Sequence, residues 1–158
     1  MKVKIPPSKT SGEVSAPPSK SFAHRYLIGS VLSRGKCVIK NIADSDDISA
    51  TLSCIEQFGG SVTKDGNTVT VIPTNEKQIE NAVFDCKESG STLRFFIPVV
   101  LATGAKSCTF FGSERLLARG IKEYEKLFEN SDVKIKSDEK SIEISGKLTA
   151  GNYEISGE

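Results

Sequence analysis

Apolar residues recur along the chain with two different spacings, which predict helices in some segments and strands in others. Two segments carry apolar residues three or four positions apart, on one helical face each: Ile48, Leu52, Ile55 and Phe58, then Leu117, Ile121, Tyr124 and Phe128. Two others, GGSVTKDGNTVTVI and NSDVKIKSDEKSIEIS, alternate apolar and polar residues on either side of a polar turn, which is typical of β-hairpins. We therefore predict helices near 21–33 and 45–58, a further helix through 117–128, and two hairpins.

These elements recur in the same order when the sequence is shifted by about 70 residues. SRGKCVIKNIADSD falls on ATGAKSCTFFGSER, and Ser21 falls on Ser91, each at the start of a helix. Each unit is predicted to run strand, helix, strand, helix, strand, strand, over about 13–72 and 82–146, with PTNEKQIEN as the link. GNYEISGE at 151–158 resembles the opening strands, so we expect a third unit that is truncated and a longer parent protein.

Composition and charge narrow the class of protein. The 158 residues are 37% hydrophobic and 26% charged with a net charge of +1, which is ordinary for a globular protein and gives no global attraction for nucleic acid or a membrane. No apolar run reaches the roughly 18 residues of a membrane span, and the N-terminus lacks the apolar core of a secretory signal. We expect a cytoplasmic protein whose four widely spaced cysteines are reduced and packed.

Basic, hydroxyl and small residues are concentrated at three predicted helix starts. The clusters are Lys20, Ser21 and Arg25; Ser89, Gly90, Ser91 and Arg94; and Arg115 and Arg119. A helix N-terminus exposes unpaired N–H groups and a partial positive charge, and a nearby lysine or arginine adds a full charge. The pattern indicates a phosphate or carboxylate site. The alternative is that the serines only cap the helices and the arginines are solvated or paired with Glu114 and Glu123.

Two single residues complete this interpretation. His24 is the one histidine, so no Ser-His-Asp triad or histidine metal cluster is visible, and we expect it to be a surface or packed residue rather than a catalyst. Pro98 lies within the apolar run LRFFIPVVLATG. Since an interior proline removes a hydrogen bond and costs about 3 kcal/mol, we expect that helix to kink there or to begin later than Ser91.

Four segments resemble, in order and spacing, the signatures of the EPSP synthase (3-phosphoshikimate 1-carboxyvinyltransferase) family: PPSKSFAHR, NIADSDD, ESGSTLRF and GSERLLARGI. The resemblance implies an α/β fold, the inside-out α/β barrel-type domain built from βαβαββ repeats of enolpyruvyl transferases, here with two full repeats and the start of a third. It also implies that residues 1–12 form a strand of the other, missing domain, and that 13–158 form a substrate-binding domain.

The same resemblance implies transfer of the enolpyruvyl group from phosphoenolpyruvate to the 5-hydroxyl of shikimate 3-phosphate, on the route to chorismate and aromatic amino acids. The implied roles are shikimate 3-phosphate binding by Lys20, Ser21 and Arg25, and phosphoenolpyruvate binding by Lys20, Gly90, Arg115 and, more weakly, Arg119. Lys20 would also be catalytic. The resemblance implies no metal or organic cofactor, and it implies glyphosate as a competitor of phosphoenolpyruvate. We expect the chain alone to be inactive without its C-terminal domain.

Two residues depart from the family pattern. Glu88 stands where the family commonly has asparagine, and its carboxylate should repel an anion unless it points away or pairs with a cation. Gly120 stands where a proline usually follows the arginine, so the geometry at Arg119 is less certain.

Three other functions stay open from the sequence. The first is a UDP-N-acetylglucosamine enolpyruvyltransferase, which typically has Lys-Asn at its start and a reactive cysteine in a loop. Ser21 and the predicted strand around Cys108 disfavour it. The second is a non-catalytic anion-binding folding unit, and the third is an RNA 3′-phosphate cyclase, which the near-zero net charge disfavours.

Overall fold

The computed structural model describes residues 2–4, 6–7, 9, 11–74, 81–104 and 106–155, and the structural statements below concern these ranges. The helices are α1 (Lys20–Val31), α2 (Asp46–Gln57), α3 (Gly90–Thr103), α4 (Glu114–Ala118) and α5 (Lys122–Phe128). The strands are β1 (Cys37–Ile39), β2 (Ser61–Asp65), β3 (Thr68–Ile72), β4 (Asn81–Asp85), β5 (Ser107–Phe111), β6 (Lys134–Ser137) and β7 (Ile142–Ser145). Within these ranges, no helix is long and apolar enough to cross a membrane.

Each predicted unit forms its own sheet. The first sheet has the order β1-β3-β2 and is antiparallel throughout. The second has the order β4-β5-β7-β6, in which β4 and β5 are parallel and the remaining pairs are antiparallel. Both predicted hairpins are confirmed: β2 and β3 join at the turn Gly66–Asn67, and β6 and β7 pair from Ser137 opposite Ile142.

The helices α1, α2 and α3 contact one another, and the strands β1 to β4 contact α1 and α2. One face of α1 stays exposed, with Phe22 and Tyr26 each 60% exposed. Phe84 and Phe110 are fully buried, and their ring centroids are 5.0 Å apart. On the opposite sheet faces, Val38 and Val83 are exposed. This arrangement confirms the α/β fold of repeated units.

The predicted opening strand of the first unit is absent. Residues 11–19 form no strand, and Val14 is 94% exposed. β1 pairs with β3 on one edge only, so no neighbouring strand holds this segment, and Pro17 and Pro18 have no N–H to donate. In the second unit β4 occupies the equivalent place beside β5.

The predicted strands at the two ends of the chain are not formed by the described residues either. Residues 151–155 are exposed and lack strand structure. Parts of three predicted segments lie outside the described residues. These are the end of the third unit at 156–158, most of the link, at 75–80, and positions 1, 5, 8 and 10 of the first strand.

The predicted helix through 117–128 is two helices. α4 ends at Ala118 and α5 begins at Lys122. Gly120 between them adopts the left-handed region with φ 63°, a conformation that cannot continue a right-handed helix. The apolar face is kept across the break, since Leu117, Ile121 and Phe128 are buried.

The expectation that Pro98 would delay the start of its helix is wrong. α3 begins at Gly90, after the cap Ser89, and is one continuous helix through Pro98 to Thr103. The carbonyl of Arg94, which would accept from an N–H at position 98, instead accepts from the Tyr124 hydroxyl at 2.8 Å. An external donor therefore replaces the missing helical bond.

Candidate anion-binding site

Serine side chains fix the starts of four helices in the described part of the chain. The caps are Ser19 for α1, Ser45 for α2, Ser89 for α3 and Ser113 for α4, and each hydroxyl accepts from the N–H three residues on. Such caps satisfy one of the free donors and define where each helix begins. As a result Lys20 and Gly90 stand at the first position of their helices.

The starts of α2, α3 and α4 surround one cavity of about 500 Å³. Its lining residues are Asp47, Glu88, Gly90, Ser91, Arg94, Phe95, Arg115 and Arg119. Three guanidinium groups thus face two carboxylates in a space large enough for a small anionic metabolite. Gly90, Arg115 and Arg119, predicted from the sequence to bind one anion, are brought together here.

Two of the predicted residues of α1, Lys20 and Arg25, contact residues that line this cavity. Lys20 Nζ lies 2.6 Å from Asp47 Oδ2, and the Arg25 guanidinium lies 5.1 Å from the centroid of the Phe95 ring. Arg25 Nη1 also donates to the Ser21 carbonyl oxygen at 2.9 Å. The Ser21 side chain itself is exposed. Lys20 and Arg25 therefore lie beside the cavity without forming its walls, and Ser21 is joined to them only through its carbonyl bond with Arg25.

Gly90 leaves space that a side chain would take. A Cβ built there would lie 3.0 Å from Arg94 Nη1 and 3.8 Å from Arg119 Nη1. The absence of a Cβ lets the Arg94 guanidinium approach the start of α3 closely, and the Arg119 guanidinium lies at an ordinary contact distance. Arg119, the weaker candidate in the sequence, thus lies near Gly90, although Arg94 lies closer.

The start of α3 is joined to the start of α4 by two hydrogen bonds. Ser113 N donates to the Lys87 carbonyl oxygen at 2.7 Å, and Ser113 Oγ donates to Glu88 Oε1 at 3.2 Å. Lys87 adopts a left-handed conformation with φ 53°, which aims its carbonyl at α4. The Glu88 carboxylate therefore stays in the cavity wall and accepts from a hydroxyl rather than from a cation.

A buried chain of side-chain hydrogen bonds connects α1, α2 and α3 beneath the cavity. Ser89 Oγ lies 2.6 Å from Thr92 Oγ1, which lies 2.7 Å from Thr51 Oγ1, which lies 2.8 Å from His24 Nδ1. All four residues are at most 1% exposed. Thr51 Oγ1 also donates to the Asp47 carbonyl oxygen at 3.1 Å. The chain of bonds holds the three helix starts in fixed relative positions.

His24 is packed, one of the two non-catalytic placements that the sequence indicated, and is kept neutral. Desolvation by burial lowers its pKa, and the Lys20 and Arg25 charges lower it further, against the opposing effect of Asp47. Its Nε2 atom is buried without a hydrogen-bond partner. His24 therefore contributes a buried hydrogen bond to Thr51 and does not line the cavity.

A second cavity, of about 780 Å³, lies between α5 and residues 149–155. Its walls carry lysines and carboxylates in near balance, including Lys122, Lys126, Glu123, Asp132 and Glu154. Among the described residues that line it there is no arginine and no residue from the starts of α1 to α3. It lacks the convergence of positive charge that defines the first cavity.

Some residues of the site could not be assigned from the sequence. Asp47 lies in the first turn of α2, where a carboxylate is favourable on its own account, and the sequence does not indicate that it also pairs with Lys20. Phe95 belongs to an apolar run and gave no sign that its ring lies under Arg25. The Thr51–Thr92 contact joins residues 41 positions apart, and two isolated threonines carry no recognisable motif.

Fold and site together define an α/β protein of repeated units, in which capped helix starts and arginines converge on one cavity. A model of the EPSP synthase (3-phosphoshikimate 1-carboxyvinyltransferase) family matches residues 5–158. The chain therefore belongs to the EPSP synthase family.

Curated relatives and solved structures agree with this membership. The chain is 37% identical to the 3-phosphoshikimate 1-carboxyvinyltransferase of Clostridium novyi, over 98% of this chain and 38% of the relative. It is 39% identical to that of Clostridioides difficile, over 98% of this chain and 38% of the relative. The fold is similar to that of EPSP synthase from Acinetobacter baumannii, with a TM-score of 0.68 and 18% identity over 92% of this chain and 33% of that one. The chain thus spans less than two fifths of the length of the curated relatives that it matches.

Proposed function

We propose that this chain provides the anion-binding part of an enzyme that transfers the enolpyruvyl group from phosphoenolpyruvate to the 5-hydroxyl of shikimate 3-phosphate. The observation that supports this most is the cavity lined by Arg94, Arg115 and Arg119 at the start of α3. Both substrates carry phosphate and carboxylate groups. Guanidinium groups bind such groups through paired, charge-assisted hydrogen bonds.

The proposed roles follow the positions around the cavity. Lys20, Ser21 and Arg25 bind shikimate 3-phosphate from the α1 side, while Gly90 and Arg115 bind phosphoenolpyruvate on the α3 and α4 side. Arg119 joins Arg115, which its position beside Gly90 supports. Arg94 lines the same cavity and adds a third guanidinium group. Lys20 lies between the two substrates and contacts both.

The proposed reaction is a substitution with a balanced set of bonds. The C–O bond between the enolpyruvyl group and phosphate breaks, a C–O bond to the 5-hydroxyl oxygen forms, and the hydroxyl proton leaves with the released phosphate. Negative charge grows on the departing phosphate, so fixed cations around it lower the barrier. Holding both substrates in one cavity removes the entropic cost of bringing them together.

Two carboxylates oppose anion binding in this cavity. Asp47 is paired with Lys20 at 2.6 Å, so an incoming anion competes with Asp47 for the ammonium group. Glu88 lines the cavity and forms no ion pair with any residue that the structure describes. We therefore propose that the chain on its own binds both substrates weakly and has no turnover.

The proposal extends to the organisation of the complete protein. Residues 13–158 form its substrate-binding domain, residues 1–12 pair with a further domain, and that domain supplies the proton-transfer residue and additional phosphate ligands. The complete protein then serves the shikimate pathway in the cytoplasm. The matched share of the curated relatives, 38% of their length, leaves room for such a domain.

The burial of Cys108 disfavours the alternative enolpyruvyl transfer to UDP-N-acetylglucosamine. A UDP-N-acetylglucosamine enolpyruvyltransferase would use a reactive thiol in a loop. Cys108 lies buried within β5, and burial raises its pKa to about 12. A thiol with so high a pKa is a poor nucleophile at neutral pH.

Binding is tested by titrating the ¹⁵N-labelled chain with shikimate 3-phosphate and phosphoenolpyruvate, separately and together, while amide shifts are followed by NMR. We expect shifts at the starts of α1 and α3. Lys20→Met should weaken binding by about tenfold or more, because it removes a charge-assisted hydrogen bond. The matched control Lys36→Met, at an exposed lysine beyond α1, should bind as the unaltered chain does.

Turnover is tested in a chimera in which this chain replaces the matching part of the Clostridium novyi relative. The chimera should release phosphate when both substrates are present, whereas the 158-residue chain should not. Lys20→Met in the chimera should abolish phosphate release. Near-normal release by that variant would refute the role of Lys20, and product formation by the chain alone would refute the need for a further domain.

A further inference from the structure

Arg94 is held at both its backbone and its side chain by the segment that follows α4. Its Nη2 atom donates to the Gly120 carbonyl oxygen at 3.2 Å, and its own carbonyl oxygen accepts from Tyr124 Oη at 2.8 Å. The same segment carries Arg119, whose Nη1 lies next to Gly90. Two of the three cavity arginines therefore depend on one junction between α3 and the α4–α5 region.

The Tyr124 bond exists because of a proline. In a helix the N–H of a residue donates to the carbonyl four positions earlier, and proline has no N–H. Pro98 thus leaves the Arg94 carbonyl without its helical donor inside α3. A carbonyl left without a donor inside a helix is destabilising, so the Tyr124 hydroxyl removes a penalty that the sequence of α3 creates.

The tyrosine is itself held in place for this contact. Its ring is stacked on Phe128, with centroids 5.9 Å apart, and it is half-buried. Burial raises the pKa of the Tyr124 phenol, so the group stays protonated and able to donate at neutral pH. Arg94 Nη1 meanwhile lies 3.0 Å from the place of a Cβ on Gly90, so a displacement of Arg94 would change the cation that lies beside the start of α3.

We propose that Tyr124 is a positioning residue of the anion site: its hydroxyl replaces the N–H that Pro98 lacks and thereby ties Arg94 to the segment that carries Arg119. Tyr124 does not touch the cavity; it sets the distance between two guanidinium groups that do. This inference rests on the proposed anion-binding function of the cavity. It adds a residue whose part in that function depends on the hydrogen bond to Arg94.

The test is a cycle of Tyr124→Phe, Pro98→Ala and the double variant, with Tyr153→Phe as the matched control. Tyr153 also donates to a backbone carbonyl, that of Thr149 at 2.6 Å, but far from the cavity. Tyr124→Phe keeps the ring and removes only the hydroxyl. The readouts are the midpoint of urea unfolding, the Arg94 side-chain Nε NMR signal, and the affinity for phosphoenolpyruvate from amide shifts.

Tyr124→Phe should lower the unfolding midpoint, shift the Arg94 Nε signal and weaken phosphoenolpyruvate binding about fivefold, the equivalent of one hydrogen bond. In the double variant the new N–H at position 98 satisfies the Arg94 carbonyl, so the loss of stability should largely disappear. The affinity should stay reduced, since the tie between α3 and α5 is still absent. Tyr153→Phe should leave the affinity and the Arg94 signal unchanged.

Two outcomes would overturn the proposal. If the double variant regains affinity together with stability, Tyr124 serves only the stability of α3. If Tyr124→Phe leaves the Arg94 signal and the affinity unchanged, the hydrogen bond does not position the arginine. A chain that binds no phosphoenolpyruvate at all would count against the proposed function instead, while the stability cycle and the Arg94 signal would still report on the tie.

Discussion

Replacing Thr51 by valine tests whether the buried chain of hydrogen bonds holds the three helix starts together. Thr51 Oγ1 contacts His24 Nδ1 at 2.8 Å, Thr92 Oγ1 at 2.7 Å and the Asp47 carbonyl oxygen at 3.1 Å. Valine has nearly the same shape as threonine and a similar helix propensity. The substitution therefore removes the hydroxyl without opening a cavity or weakening α2.

The magnitude follows from which partners are left unsatisfied. Thr92 Oγ1 keeps its bond to Ser89 at 2.6 Å, so the main orphan is His24 Nδ1. His24 is 1% exposed and its Nε2 already lacks a partner, so the ring would then have no hydrogen bond at all. Leaving one buried polar atom unsatisfied costs about 1–3 kcal/mol, and we expect a loss of about 2 kcal/mol in the free energy of unfolding.

The assay is urea unfolding followed by circular dichroism, with a thermal scan as a second measure. A loss of about 2 kcal/mol corresponds to a fall of about 4–8 °C in Tm for a chain of this size. Thr63→Val, at an exposed position of β2, is the matched control and should stay within about 0.5 kcal/mol of the unaltered chain. If the two variants are equally stable, the hydrogen bonds of Thr51 contribute nothing net and the reasoning fails.

Two further predictions concern His24 and Gly90. Burial lowers the pKa of His24 below 6.5, so the histidine binds a proton more readily in the unfolded chain than in the folded one. The free energy of unfolding should therefore fall as the pH drops below about 6.5, by at most about 1.4 kcal/mol per pH unit. Urea unfolding at pH 7 and pH 5 measures this slope; an equal slope in His24→Gln would contradict the assignment, since the chain has no other histidine. Gly90→Ala, whose Cβ would lie 3.0 Å from Arg94 Nη1, should weaken phosphoenolpyruvate binding about five- to tenfold with stability nearly unchanged. Gly29→Ala, where a Cβ meets nothing within 4 Å, should raise stability by up to about 1 kcal/mol and leave binding unaltered; equal affinity for the two variants would refute the close approach at Gly90.

The order of elements could be predicted because local patterns determine it. The apolar face of α2 and the two alternating hairpins each depend on residues within a dozen positions, and the structure confirms them. The opening strand of the first unit could not be decided in this way. Whether residues 11–19 form a strand depends on a neighbouring strand with which they could pair. β1 is an edge strand, and no described residue pairs with its free edge. The break at Gly120 was missed because an apolar face can continue across two short helices.

The site residues that stand at helix starts could be predicted from the sequence, because nearby residues determine those positions. Their contact partners could not, because those contacts depend on how the helices pack. Gly90 and Lys20 stand at helix starts, and the serine that precedes each of them indicates such a start in the sequence. The partners of those residues come from elsewhere in the chain: Asp47 is 27 positions from Lys20, and Tyr124 is 30 positions from Arg94. Such contacts follow from the packing of α1, α2 and α3, which no single motif encodes.

The two departures from the family pattern have opposite consequences at this cavity. Gly120 adopts φ 63°, which a proline cannot adopt because its ring fixes φ near −65°, and in this conformation the Gly120 carbonyl oxygen accepts from Arg94 Nη2. The glycine thus supports an arginine of the site by a backbone geometry that the usual residue would forbid. Glu88 brings no such compensation, because its carboxylate is held in the cavity wall by the Ser113 hydroxyl alone. Under the proposed function, an anion that enters the cavity would meet a well-held Arg94 and two carboxylates, of which Asp47 is paired with Lys20 and Glu88 forms no ion pair with a described residue. The residue at position 88, rather than the one at 120, would then add to the electrostatic cost of binding.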